Sequence, residues 1–360
     1  MNGSDVLRQR LANQQLVCPR RAEPGEVVAW LGAVQAQDYP GAKWGLGQRL
    51  PGATDGVLDR AFDEGAILRT HLLRPTWHFV APADVRWLLQ LTGPRVKAVI
   101  RYHDRTLGLD DGLFRRSNAA IAKALEGGKH LTRTELETPL RAAGIGAKGQ
   151  TLGHLVMHAE LDGVICSGPR RGKQFTYALL EERVPPARAH GRDEALAELV
   201  KRYFVSHGPA TLHDFAWWSG LTIGDARRGI AMLGSQLVGE RVDGLEYWLA
   251  PTTAPPMPET AYLLPNYDEY TIAYRDREVF YDAAQAVAVP RRHNVPFDHA
   301  VVVGGRVIGL WRRTFGKGKL AVETQLFVEL DEAGRSELRG ATERYGRFLG
   351  VPVVLDGRPG

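Results

Sequence analysis

Gln35 and Gln37 stand two residues apart in the stretch AVQAQDYPG, with Ala36 between them. A glutamine side chain neither gains nor loses a proton at ordinary pH, so neither amide is a strong base. Its carbonyl oxygen can orient a water molecule, and its dipole can support positive charge developing nearby. Such a pair suits only a bond that is already weak. A purine alkylated at N7 meets that condition: the base is cationic before reaction and departs without an added proton. The sugar then passes through an oxocarbenium-like state, as in glycoside hydrolysis. Two amides suffice for that leaving group and not for an uncharged base.

Other residues of chemical interest cluster nearby. His71, Arg74, Thr76, Trp77 and His78 form a dense polar and aromatic patch, expected to wall a pocket, and Asp38 adjoins the amides as a supporting group. Asp268 and Glu269, in YDEY, are assigned structural roles. His154 and His158 have the spacing of a metal pair on a helix. The Leu-Val-Met between them lacks the glutamate of a zinc protease and no third ligand is evident, so a capping or core role is expected.

On a helix, residues two apart point to nearly opposite sides, so both amides can face one pocket only where a helix ends. The pattern predicts a helix over Val6–Leu16 and a second from Glu26 to about Gln35, opened by Pro24-Gly25 and stopped by Pro40-Gly41. A helix over Asp55–Glu64 then leads to ILRTHLLRPTWHFV, two strand-like runs flanking Arg74-Pro75. Helix, helix, hairpin is the order of a winged helix. It returns in LTRTELETPLRAAG, GQTLGHLVMHAEL and VICSGPRRGKQFTYAL, and again in ATLHDFAWWSG, TIGDARRGIAML and QLVGERVDGLEYWLA, where Asp243-Gly244 is a two-residue turn signal. Residues 82–126 read as all-helical, and 188–207 supply a helix before the third unit. After Pro251 the texture changes to proline-rich and then β-branched, with a helix over Glu332–Leu349 and a strand at Val351–Leu355.

The reading is therefore mainly α with β-hairpins, an α+β chain of three tandem winged-helix units and a small C-terminal antiparallel β part. The divisions fall at 1–126, 127–187, 188–251 and 252–360. A chain of 360 residues with 44% hydrophobic content exceeds one growing core. Its 46 Lys and Arg against 41 Asp and Glu give a charge of +5, a mild bias that puts any DNA contact in local basic clusters. Two hairpin tips qualify: Arg170, Arg171 and Lys173 in one, and Arg312, Arg313, Lys317 and Lys319 beside Trp311 and Phe315 in the other. Cys18 and Cys166 are too few for a disulfide framework, and no apolar run reaches membrane-spanning length or marks a signal peptide. A cytoplasmic monomer is the expectation.

The triplet followed by Asp38-Tyr39-Pro40, the segment RTHLLRPTWHFVAPADVRWLL, and LLPNYDEYTIAYRDR followed by GRVIGLWRR together resemble the AlkZ and YcaQ family of bacterial glycosylases. The likeness runs in order from about Leu7 to about Gly350. It implies a tandem winged-helix DNA glycosylase that excises N7-alkylated purines, including bulky natural-product adducts and, in some members, interstrand crosslinks. The family motif is glutamine, an aliphatic residue, then glutamine or aspartate. Gln35 and Gln37 match the first form, that of the branch associated with self-resistance in antibiotic producers. The resemblance implies that both glutamines position water and stabilise the sugar cation on double-stranded DNA, without a cofactor. A non-enzymatic winged-helix regulator is the competing reading, but no dimer seam or sensor domain is visible. A protein sequestering a DNA-reactive natural product among its eight tryptophans is a third.

Overall fold

The computed structural model describes residues 1–252, 255–256, 259–281, 299–316 and 318–356. Helix α1 (Gly3–Asn13) is opened by a capping box between Asn2 and Asp5. Helix α2 (Pro24–Leu31) ends at Gly32, whose φ of +80° is accessible to glycine at little cost. It therefore stops short of Gln35, and the chain extends into strand β1 (Val34–Gln35). Pro40 does not end a helix either. It sits in the first turn of α3 (Tyr39–Gly47), where its missing N–H goes unused, and Asp38 caps that turn. This additional helix precedes α4 (Asp55–Glu64).

The first hairpin is β2 (Leu68–Leu72) and β3 (Arg74–Val80), turning at Leu73, and β1 joins β3 to make a sheet of order β1-β3-β2. Helices α5 (Val85–Thr106) and α6 (Asp111–Leu125) follow. Next come β4 (Leu131–Thr132), α7 (Glu137–Ala142), α8 (Gly149–Leu161), β5 (Ile165–Ser167) and β6 (Thr176–Leu179), with sheet order β4-β6-β5. Short α9 (Leu180–Arg183) and longer α10 (Arg192–Ser206) lead to α11 (Leu212–Ser219) and α12 (Ile223–Leu233). Thr211 and Thr222 open these two with capping boxes. The third hairpin, β7 (Val238–Val242) and β8 (Leu245–Leu249), turns at Asp243 and Gly244 with φ of +49° and +82°, as a two-residue turn demands. The helix-then-hairpin order thus occurs three times.

The remainder comprises β9 (Ala261–Leu264), α13 (Glu269–Ile272), β10 (Ala300–Val303), β11 (Arg306–Phe315), β12 (Leu320–Leu326), α14 (Glu332–Leu349) and β13 (Val353–Asp356). The five strands lie in the order β13-β12-β11-β10-β9. The sheet is mixed rather than antiparallel, because α14 returns the chain so that β13 runs parallel to β12. Strands β9 and β10 are buried on both faces and divide their side chains between two cores. Tyr262, Leu264, Ala300 and Val302 join a cluster with Leu7, Leu11, Leu199, Tyr203 and Trp218. Ala261, Leu263 and Val301 join another with Leu31, Ala36, Trp44, Phe62, Phe79 and Tyr345. The C-terminal sheet is thus a shared wall for both cores. A third cluster, including Phe114, Leu140, Leu155 and Tyr177, is built by α6 to β6. No helix among the described residues is long and apolar enough to cross a membrane.

Candidate active site

Strand β1 sets Gln35 opposite His78 and Val34 opposite Phe79, and the Ala36 N–H donates to the Trp77 carbonyl at 2.8 Å. Of the two glutamines the strand carries Gln35 only; Gln37 lies in the bend that follows, where its side-chain oxygen accepts from the Trp77 N–H at 3.5 Å. The expected helix end is thus replaced by a short strand and a bend, which bring Gln35 to the cleft and leave Gln37 outside its lining. Gln35 is buried and Gln37 is exposed. The Gln35 side-chain oxygen accepts from Arg74 Nη2 at 2.7 Å, and its backbone N–H donates to Glu269 Oε1 at 2.9 Å. The residue is therefore held at its backbone and at its side-chain oxygen. With one lone pair of its carbonyl oxygen used by Arg74, the other remains for a water molecule.

Gln35, Arg74, Thr76, Arg95, Val99 and Trp217 help line a cleft of about 310 Å³, and no aspartate or glutamate is among its lining residues. Gly220, between α11 and α12, lets one wall close: it has φ +69°, and a Cβ there would fall 2.2 Å from the Leu73 carbonyl oxygen. Only glycine brings that turn against the hairpin bearing Arg74. Burial pulls the Arg74 guanidinium below its usual pKa, while the Glu269 charge pushes it back up. Burial, and then the Arg74 charge, hold the His78 imidazole well below its ordinary value. His78 is neutral: its Nδ1–H donates to the Thr76 carbonyl at 2.9 Å, and its Nε2 is buried without a partner.

The family model for DNA glycosylase AlkZ-like proteins matches residues 28–348. The chain belongs to the AlkZ-like DNA glycosylase family. It is 24% identical over 327 residues to the interstrand DNA cross-link repair glycosylase of Streptomyces sahachiroi, covering 85% of this chain and 86% of that protein. The solved structure of Streptomyces sahachiroi DNA glycosylase AlkZ shares its fold with a TM-score of 0.80 at 22% identity, covering 99% of this chain and 100% of that one.

In this AlkZ-like chain the anticipated pocket residues separate. Arg74 and His78 sit on the Gln35 side of the hairpin. His71 and Trp77, paired across β2 and β3, occupy the opposite side, because successive strand residues alternate. There the His71 ring hydrogen-bonds to Glu160, and Trp77 lies against His71 at 4.4 Å and under the Arg69 guanidinium at 4.3 Å. They back the sheet and do not line the cleft. Asp38 accepts from the Gly41 N–H at 3.3 Å, as the cap of α3.

Two acids of YDEY turn out to be central. Asp268 receives both Arg49 terminal nitrogens at 2.8 and 2.9 Å, and both residues are buried. Glu269, 1% exposed, reaches the Gln35 backbone. Sequence reasoning assigned them structure because they lie more than two hundred residues from the triplet. The usable signal was a pair of acids set among apolar residues, an arrangement that requires partners when buried.

The basic tips are also partly committed. Arg170 turns inward, bonding Asp59 at 2.8 Å with its guanidinium over the Tyr39 ring, and so ties the second hairpin to α4. Arg171 pairs with Glu135, Arg312 with Glu323, and Arg313 bonds the Tyr345 hydroxyl. Lys173 and Lys319 are exposed, and Lys317 lies outside the described residues. His154 and His158 share the two oxygens of Asp104, at 2.7 and 3.0 Å, and join α8 to α5.

Proposed function

We propose that this chain is a monofunctional glycosylase that hydrolyses the N-glycosidic bond of N7-alkylated purines in double-stranded DNA, bulky adducts and interstrand crosslinks included. The observation that carries this reading is an amide fixed by Arg74 in a cleft lined by no carboxylate. Without an acid to protonate a leaving base, the base must arrive activated, as an N7-alkylpurine does. The Streptomyces sahachiroi relative, an interstrand DNA cross-link repair glycosylase, supports the same substrate class. Gln35 holds the attacking water and Gln37, exposed in the bend after β1, supports charge on the sugar.

The three helix-and-hairpin groups act as winged-helix units that grip the duplex. Helix α5 borders the cleft with Arg95 and Val99, and the same face continues through Tyr102, 78% exposed, to Arg105. Residues at these intervals share one helical face, which offers cations to phosphates and an aromatic ring to a groove.

The test is single-turnover excision from a duplex carrying N7-methylguanine. Gln35→Ala and Gln37→Ala lower the rate roughly 100-fold or more while duplex affinity stays within a factor of about two, because neutral amides add little to phosphate binding. Excision by both variants at the parental rate would remove them from the mechanism.

A further inference from the structure

We propose that Glu269 is a positioning residue for excision: it fixes the Gln35 strand and neutralises Arg74, so that the amide presents its dipole, and not a net positive charge, to the sugar cation. The inference rests on the reading that Gln35 acts in excision. Three donors converge on the buried carboxylate. The Gln35 N–H reaches Oε1 at 2.9 Å, the Trp218 indole N–H reaches Oε2 at 2.9 Å, and His207 Nε2 lies 3.3 Å from the same oxygen. His207 is itself held by Ser206 at 2.8 Å and stacked on Tyr203. A carboxylate so enclosed is rigid, and its charge persists only where cations answer it.

The cation on the cleft side is Arg74. It donates to the very carbonyl oxygen on which the water depends, and its Nε is buried without a partner. Arg277 lies nearby, and the Trp217 ring is near both guanidinium groups, 5.8 Å from Arg74 and 5.4 Å from Arg277. An unanswered guanidinium beside a developing oxocarbenium would oppose the reaction in a site with little water. Arg277 is answered by Asp214 and Asp276, whereas Glu269, on α13, is the acid whose charge bears on Arg74, and it bonds the same residue as Arg74 from the other end. Glutamine orientation and charge balance are thus served by one side chain.

Charge and shape are separable here, since Glu269→Gln keeps the shape and Glu269→Asp keeps the charge. Both variants, with Arg74→Met and the double variant, are assayed for single-turnover release of N7-methylguanine, duplex affinity and thermal unfolding. Glu269→Gln lowers the rate roughly 10- to 100-fold with duplex affinity unchanged, and Glu269→Asp recovers part of the loss. In the Arg74→Met background the Glu269→Gln penalty shrinks to about twofold or less, as coupled residues require. Equal penalties in both backgrounds, or Glu269→Gln faster than Glu269→Asp, overturn the inference. Should the single variant unfold, the double variant, which removes both charges together, decides alone: excision near the Arg74→Met rate supports the inference, and a further loss of tenfold or more in folded protein contradicts it. Failure of the underlying reading looks different, because then the parent chain releases no base or Gln35→Ala is as fast as the parent.

Discussion

At the scale of single residues, the site depends on neutral groups kept neutral. His78 is buried opposite Gln35 with its pKa depressed, so folding favours the uncharged ring. Its contribution to stability is complete above the unfolded-state value near 6.5 and is lost as pH falls below that value toward the folded one. Urea unfolding should show stability falling by up to about 1.4 kcal/mol per pH unit below pH 6 from this residue. His78→Gln should flatten that slope, with His158, also depressed by burial, leaving a smaller one of the same sign. An unchanged slope would show that His78 is protonated within the fold. The chemistry of the amides was legible in the residues themselves, since glutamine admits few catalytic roles. Their grip by Arg74 and Glu269 was not, because no local pattern links positions 35, 74 and 269.

At the scale of elements, the site is where a strand, a hairpin and an interhelical turn meet. Gly220→Ala would place a methyl group against the Leu73 carbonyl at a left-handed backbone position. It should cost on the order of 1–3 kcal/mol and displace the hairpin that carries Arg74, lowering excision. Gly244→Ala, also at positive φ but with nothing within 4 Å, should pay only the backbone strain and leave excision near parental. Equal activity of the two variants would disconnect this turn from the site. Helix periodicity revealed most helices, and α14 falls where its pattern placed it. The errors cluster at residues 32–41, where local signals compete: Gly32 ends a helix earlier than apolar spacing suggests, and Pro40 begins one instead of ending it. The proposed catalytic pair lies in that stretch, and the extended path at Val34 and Gln35 is imposed by pairing with β3, a tertiary contact.

At the scale of the molecule, remote segments converge on the triplet through buried ion pairs. Arg49 at the end of α3 also bonds the Gln14 carbonyl while holding Asp268, so the N-terminal helices and the 265–274 segment are fixed together. Asp268→Ala leaves a buried guanidinium uncompensated and should destabilise the protein by about 3–5 kcal/mol in denaturant unfolding. A loss below about 1 kcal/mol would mean water replaces the acid. The shared wall of β9 and β10 explains why the C-terminal part, read from sequence as a small appendage, contributes to both large cores and supplies Glu269 to the site.

An amide pair at a cleft lined by no acid should remove only bases that arrive activated. The most direct measurement compares two duplexes identical except at one guanine, N7-methylated in one and unmodified in the other, and follows released base and abasic sites. The account predicts release of N7-methylguanine with stoichiometric abasic sites and no detectable release of guanine. Release of unmodified guanine at a comparable rate, or no release from either duplex, would contradict it.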